Sequence, residues 1–168
     1  MGANNHTHKV IVLGMGNLLL KDEGIGVHVA QTMQATPSPD NVDLEVIDGG
    51  TLPDATLSFG EADKLIVVDA VKAGGEPGAI YRFRPEDISL NNDVLTSLHQ
   101  ISLLENLWLT ERFGQKPGEV VIIGVEPEDM SSGLELSTKL QQRIPRIIKV
   151  VLEEALGYRD ASEKGVLR

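Results

Sequence analysis

The sequence contains no cysteine, which excludes disulfide bonds, thiolate metal sites and cysteine nucleophiles. Histidine is scarce, with 4 in 168 residues, so carboxylates, hydroxyls and a few imidazoles are the groups left for chemistry. No apolar run approaches the roughly 18 residues that a transmembrane helix needs, and the polar start MGANNHTH lacks the features of a signal peptide. We therefore expect a cytoplasmic protein that does not insert into a membrane.

Basic residues are in the minority, with 15 Lys and Arg against 25 Asp and Glu and a formal net charge of −10. Such a surface repels phosphate backbones, and no basic stripe with interleaved aromatic residues is present, so nucleic acid is not an expected partner. The length suits a single domain over residues 1–168. We expect an ordered core at about 9–157, with a flexible N-terminal arm and C-terminal tail.

Short apolar segments alternate with segments of helical spacing, which predicts an α/β fold. The connection at 70–78 is too short and too rich in glycine and proline for a crossover helix, so the fourth strand should run antiparallel to the third. The prediction is a three-layer sandwich with a five-stranded, mostly parallel sheet, one antiparallel strand and helices on both faces. The predicted strands cover 10–14, 42–47, 64–68, 79–83 and 119–125, and the predicted helices 24–35, 53–59, 93–113 and 136–155.

The segment VIVLGMGNLLLKDEGIG, residues 10–26, organises the chain. Gly24 and Gly26 in the first turn of a helix cost roughly 1 kcal/mol each relative to alanine, which indicates space kept for another chain or a ligand. We expect Asp22 to cap this helix and Glu23 to lie at the positive end of its dipole. Capping alone accounts for most acidic pairs of this kind, so a functional role needs further signals.

A second carboxylate, Asp69, follows the third predicted strand. Ligands bind beyond the carboxyl ends of such strands, so Glu23 and Asp69 should converge if strands one and three are neighbours. His99, on the flank of the apolar stripe of helix 93–113, is placed to join them, whereas His28 is interpreted as structural. Two carboxylates and one imidazole suit a divalent first-row metal ion with open coordination positions.

Five blocks in order, VIVLGMGNLLLKDEGIG, VIDGGT, LIVVDAV, SLHQISLLENL and VVIIGVEPE, resemble the hydrogenase maturation endopeptidases. These enzymes trim the C-terminus of the large-subunit precursor of nickel-iron hydrogenases. The resemblance implies that Glu23, Asp69 and His99 gather at a metal position and recognise nickel already installed in the precursor. It implies a supporting role for Asp48, nickel supplied by the substrate and no organic cofactor.

The chain departs from some relatives at two positions. Leu98 precedes the histidine where some have proline, and Glu23 stands where some have aspartate, which leaves open the hydrogenase class served. The mechanism is also open. In one mechanism the metal polarises a peptide carbonyl or a water. In the other, the metal only indicates that the precursor carries nickel, and a carboxylate acts as general base on a water.

Three rival functions remain at this stage. A dinucleotide fold would need glycine where Leu19 stands and an acid nearer than Asp48. A general metal-dependent peptidase with its own zinc would normally carry more than one ligating histidine, and no HExxH pattern is present. A non-proteolytic chaperone that checks the nickel site would bind the precursor without shortening it.

Overall fold

The computed structural model describes residues 7–51, 59–87, 116–158 and 165–167. The helices in these ranges are α1 (Ile25–Gln34) and α2 (Thr138–Ala155), and 3₁₀ turns lie at Lys21–Gly24 and Pro85–Asp87. No helix within these ranges has both the length and the apolar composition that crossing a bilayer requires. The strands are β1 (Lys9–Met15), β2 (Asp43–Gly50), β3 (Lys64–Ala70), β4 (Ile80–Phe83), β5 (Glu119–Val125) and β6 (Gly165–Leu167).

These strands form one sheet in the order β2-β1-β3-β5-β4-β6. β1 pairs in parallel with β2 and β3, and β3 pairs in parallel with β5. β4 is antiparallel to both of its neighbours, β5 and β6, so among the strands that the structure describes it alone opposes the common direction. The predicted α/β class, with a mostly parallel sheet and one antiparallel strand, is confirmed.

The sheet differs from the prediction in strand number and in one pairing. Within the described residues it has six strands rather than five, because residues 165–167 of the expected flexible tail pair with β4. β4 opposes β3 in direction as predicted, but β5 lies between them and is its neighbour. The connection 71–79 spans the end of β5, with the Val71 amide donating to the Val125 carbonyl at 2.9 Å. A short connection cannot return parallel, but it can step across one strand.

The central strands are apolar at nearly every position, so side chains on both faces of the sheet are buried. Val10 and Val12 of β1 pack on the side of α1 and α2. Ile11 and Leu13 point to the opposite face and are buried equally. Two buried faces are expected of a three-layer sandwich. The predicted helix 93–113 and nearly all of 53–59 lie outside the described residues.

A buried ion cluster lies at the amino ends of the strands. Glu154 of α2 accepts from Arg82 Nε at 2.7 Å and contacts Lys64 Nζ at 2.6 Å, and all three side chains are nearly inaccessible. Burial alone would raise the pKa of Glu154, but hydrogen bonds from Arg82 and Lys64 lower it below its usual range. The cluster joins α2 to β3 and β4 at the opposite end of the sheet from the candidate site.

Candidate functional site

The candidate site lies at the carboxyl ends of β1 and β3, which are neighbours in the sheet. β1 leads through residues 16–20 and a 3₁₀ turn into α1, while β3 leads into the loop 71–79. Neighbouring connections that diverge in this way leave a crevice where α/β proteins bind ligands. The condition set for the convergence of Glu23 and Asp69, that strands one and three be neighbours, is therefore met.

Close backbone packing fixes the start of α1 against the sheet. A β-carbon at Gly26 would clash with the carbonyl oxygens of Val68 in β3 and Met15 in β1. A β-carbon at Gly16, where φ is +148°, would clash with the carbonyl oxygen of Glu23. The space at Gly26, expected to serve another chain or a ligand, is filled by the protein's own strands. Glycine is needed there so that the turn carrying Glu23 can approach β3.

Asp69 lies one residue before the end of β3 and is only 2% exposed. Its Oδ1 accepts a hydrogen bond from the Ala70 amide at 2.8 Å. Burial raises the pKa of Asp69 to about 7, the Ala70 hydrogen bond opposes that rise, and the negative charge of Glu23 adds to it. The charge of Glu23 therefore acts on Asp69, as expected for residues near the carboxyl ends of neighbouring strands.

The third predicted ligand, His99, lies outside the described residues. Within the ranges that the structure covers, no three His, Asp or Glu side chains are grouped so that they could hold a metal ion. Glu23 and Asp69 lie near the carboxyl ends of β1 and β3, and their role as metal ligands stays a prediction. The role of His99 remains a prediction from sequence.

Asp22 has a different role from the one predicted. Its side chain makes no cap on α1 and is completely buried. Its Oδ2 accepts from the amides of Glu128 and Asp129, each at 2.9 Å, and its Oδ1 accepts from the Ser137 amide at 2.7 Å. Asp22 thus fixes the loop after β5 and the N-cap of α2 beneath the turn that presents Glu23. The adjacent acids have separate tasks, which their spacing alone does not reveal.

Asp48 lies at the carboxyl end of β2, opposite Gly14 of β1. Its Oδ1 accepts from the Gly50 amide and its Oδ2 from Gln31 Nε2, each at 3.1 Å. The carboxylate is exposed and joins the end of β2 to the middle of α1. These contacts place it on the α1 side of the sheet, where it braces the helix that follows Glu23.

Sequence reasoning missed Glu126, a buried carboxylate directly after β5. Its Oε2 accepts from the Ala73 amide at 2.8 Å and from the Tyr81 hydroxyl at 2.9 Å. Burial, reinforced by this carboxylate, raises the pKa of Tyr81 to about 12. Glu126 thereby holds the loop that leaves Asp69. An acid directly after a buried strand, as at Asp69, was the signal that could have identified it.

His28 lies on α1, and burial lowers its pKa despite the opposing charge of Asp22. Its Nε2 is enclosed and has no hydrogen-bond partner among the described residues. A neutral, half-buried imidazole agrees with the interpretation of His28 as structural.

The convergence of Glu23 and Asp69 permits two kinds of chemistry. Two carboxylates supply hard oxygen ligands for a divalent cation, whose positive charge favours the ionised form of Asp69. A carboxyl whose pKa lies near neutrality is also suited to take a proton from water as general base. Both uses require a substrate group at the crevice between the two side chains.

Comparison with known proteins gives consistent matches. The family model HycI, hydrogenase maturation protease, matches residues 27–154. HupD of Bradyrhizobium diazoefficiens, a hydrogenase expression/formation protein, is 34% identical over 133 residues, or 77% of this chain and 68% of that protein. The hydrogenase 2 maturation protease of Escherichia coli is 32% identical over 86% of this chain and 88% of that protein. The structure of the E. coli hydrogenase maturating endopeptidase HybD matches with a TM-score of 0.75 at 27% identity, covering 95% of this chain and 98% of that one.

Proposed function

Because the chain belongs to the hydrogenase maturation proteases, a family of peptide-bond hydrolases, we propose that it removes the C-terminal extension of a nickel-iron hydrogenase large-subunit precursor after nickel insertion. The observation that carries the proposal is the convergence of Glu23 and Asp69 at the carboxyl ends of β1 and β3. Without a cation, the negative charge of Glu23 near the buried Asp69 lowers the stability of the folded protein. A cation brought by the substrate compensates that repulsion.

Nickel is then part of the substrate and is recognised rather than stored. Glu23, Asp69 and the predicted ligand His99 offer oxygen and nitrogen donors with no thiolate. Such a set holds a free ion weakly, whereas an ion already bound by the precursor completes its coordination shell with these side chains. The peptidase therefore recognises the nickel of the precursor in the same step in which it binds the precursor.

The hydrolytic step needs a group that activates water, and Asp69 is suited to that task. Its raised pKa makes it a stronger base than an exposed carboxylate, and its Oδ1 is oriented by the Ala70 amide. In the other mechanism, the ion polarises the scissile carbonyl and both carboxylates serve only as ligands. Asp48 supports the site through α1 in either case. The proposed reaction takes place in the cytoplasm and uses no organic cofactor.

Mass spectrometry of a nickel-loaded precursor, before and after incubation with the protein, tests this function. We expect the wild-type protein to shorten the precursor once near its C-terminus. Asp69→Asn, Glu23→Gln and His99→Ala should each slow cleavage roughly 100-fold or more while the variants stay folded by circular dichroism. Glu76→Gln, which changes an exposed carboxylate on the loop after Asp69, is the matched control and should cleave normally.

Two outcomes would replace the proposal. A precursor that binds the wild-type protein but keeps its full mass would indicate a chaperone that checks the nickel site. About one tightly held zinc ion per chain, in protein purified without added metal, would indicate a general metal-dependent peptidase.

A further inference from the structure

Four large apolar side chains among the described residues are strongly exposed: Leu19 at 65%, Leu134 at 67%, Tyr158 at 72% and Val166 at 64%. Single exposed apolar residues are ordinary on protein surfaces. Leu19 and Leu134 are different, because both lie on the loops that carry and support the turn of Glu23. Tyr158 lies three residues after the end of α2, and Val166 is on the edge strand β6.

Main-chain hydrogen bonds join the two leucine-bearing loops. The Gly133 amide donates to the Leu19 carbonyl at 2.9 Å, and the Lys21 amide donates to the Gly133 carbonyl at 2.9 Å. Leu20 and Gly133 thereby form a short parallel bridge, with Leu19 directly before it and Leu134 directly after it. The two exposed leucines are thus presented from one connected piece of backbone.

Buried and charged contacts hold this backbone in place. The carboxylate of Asp22 accepts three amides from the loop that contains Leu134, and Lys21 pairs with Asp129 at 2.5 Å. The Glu23 amide donates to the Leu20 carbonyl at 3.1 Å, which connects the same backbone to the site. A surface that is already ordered loses little conformational entropy when a partner binds.

Burial of a leucine side chain stabilises a protein, so two leucines held in solvent on ordered backbone forgo that stabilisation. The charged groups beside them indicate the chemistry of what covers them. Glu128 and Glu135 are exposed on the same loop, in a chain whose formal net charge is −10. A complementary partner carries an apolar side chain with lysine or arginine next to it.

We propose that Leu19 and Leu134, with Glu128 and Glu135 beside them, form a leucine rim that docks a segment of the precursor polypeptide. The docked segment places an apolar side chain on the two leucines and basic side chains against the two glutamates. This inference rests on the proposed function, because it takes the precursor as the occupant. It assigns binding of the precursor to a surface that does not include the predicted ligands Glu23, Asp69 and His99.

Steady-state cleavage of nickel-loaded precursor by Leu19→Ser, Leu134→Ser and the double variant tests the rim. Tyr158→Ser and Val166→Ser are matched controls, because they remove similarly exposed apolar side chains elsewhere. We expect the double variant to raise KM at least tenfold with kcat within twofold of wild type, and the controls to leave both constants within twofold. Glu128→Gln with Glu135→Gln should raise KM and weaken its dependence on salt.

Binding of the precursor is measured in parallel by surface plasmon resonance, which separates this inference from the proposed function. Loss of binding in the leucine double variant supports the rim even if the wild-type protein cuts nothing, in which case only the peptidase proposal fails. Cleavage by wild type with the same KM in the double variant and the Tyr158→Ser control would overturn the rim. A wild-type dimer in analytical ultracentrifugation that the double variant converts to monomer, with unchanged precursor binding, would overturn it in favour of a second copy.

Discussion

Glu23 precedes α1, Asp69 lies one residue before the end of β3, and the pKa of Asp69 is raised first by burial and further by the charge of Glu23. The two residues are far apart in the chain and are brought together because β1 and β3 are adjacent parallel strands. Glycine at 16 and 26 lets the turn approach the sheet, and buried Asp22 fixes that turn from below. The site therefore depends on backbone packing as much as on its two carboxylates.

The first prediction concerns pH and stability of the metal-free protein. In the unfolded chain Asp69 has a pKa near 3.8, and in the folded protein the value is about 7. The folded state holds the proton more tightly, so the contribution of Asp69 to stability is complete below about pH 4 and is lost as pH rises through about 7. Asp69→Asn should remove this loss, which is on the order of 4 kcal/mol at about 1.4 kcal/mol per pKa unit.

Urea unfolding of both proteins with a chelator present, at about pH 4, 6 and 8, measures the effect. The free energy of unfolding of Asp69→Asn should increase relative to that of the wild type as pH rises, because the asparagine amide keeps an acceptor for the Ala70 amide and carries no charge. Parallel curves for the two proteins across this range would show that Asp69 titrates normally.

The second prediction concerns Asp22. Asp22→Ala leaves three buried amide donors, those of Glu128, Asp129 and Ser137, without their acceptor. We expect a loss of about 2–4 kcal/mol in the free energy of unfolding, since each unsatisfied buried group costs roughly 1–3 kcal/mol before relaxation and water entry. Asp129→Ala is the control, because it removes a surface ion pair with Lys21 and should destabilise much less. Equal effects of the two changes would contradict the anchoring role of Asp22.

The third prediction concerns Gly26. Gly26→Ala forces the start of α1 away from β1 and β3, and we expect it to cost about 1–3 kcal/mol or more. The shift moves Glu23 away from Asp69 and should lower the pKa of Asp69 as followed by NMR. Gly157→Ala, where the added carbon meets nothing within 4 Å, is the control for backbone strain alone, with φ of +74°. If Gly26→Ala destabilises the protein but leaves the pKa of Asp69 unchanged, the packing of α1 does not control the electrostatics of the site.

The fourth prediction concerns the ion cluster. Arg82→Met removes the partner of a carboxylate that is inaccessible to water, so Glu154 is left with Lys64 alone. We expect a loss of roughly 3–5 kcal/mol in thermal or urea unfolding. The double change Arg82→Met with Glu154→Met should recover part of that loss. No recovery in the double variant would show that packing of the arginine stem, rather than the unpaired charge, sets the cost.

Sequence patterns located the elements well where one physical signal dominated. Uninterrupted apolar runs identified β1, β3 and β5, because strands buried on both faces carry no polar alternation. The five sequence blocks also identified the family to which the comparisons assign the chain. The pairing of β4 with β5 was missed, because the length of the connection 71–79 fixes the direction of a strand and not its neighbour.

Tertiary contacts account for the other differences. The segment at 165–167 is too short to stand out by composition and is ordered as a strand only by pairing with β4. Asp22 looked like a helix cap because local spacing does not reveal amides supplied by residues 128–137. The neighbouring positions of the ends of β1 and β3, which carry Glu23 and Asp69, could be predicted because parallel strands bring their carboxyl ends to one edge, while the roles of Glu23, Asp69 and His99 stay predictions.

Cleavage of nickel-loaded and nickel-free forms of one precursor, measured side by side with the wild-type protein, tests the central claim most directly. We predict that the loaded precursor is shortened and the nickel-free one is not, and that Glu23→Gln and Asp69→Asn abolish processing of the loaded form without unfolding. Equal cleavage of both forms, or normal processing by both folded variants, would contradict recognition of substrate-bound nickel by these carboxylates.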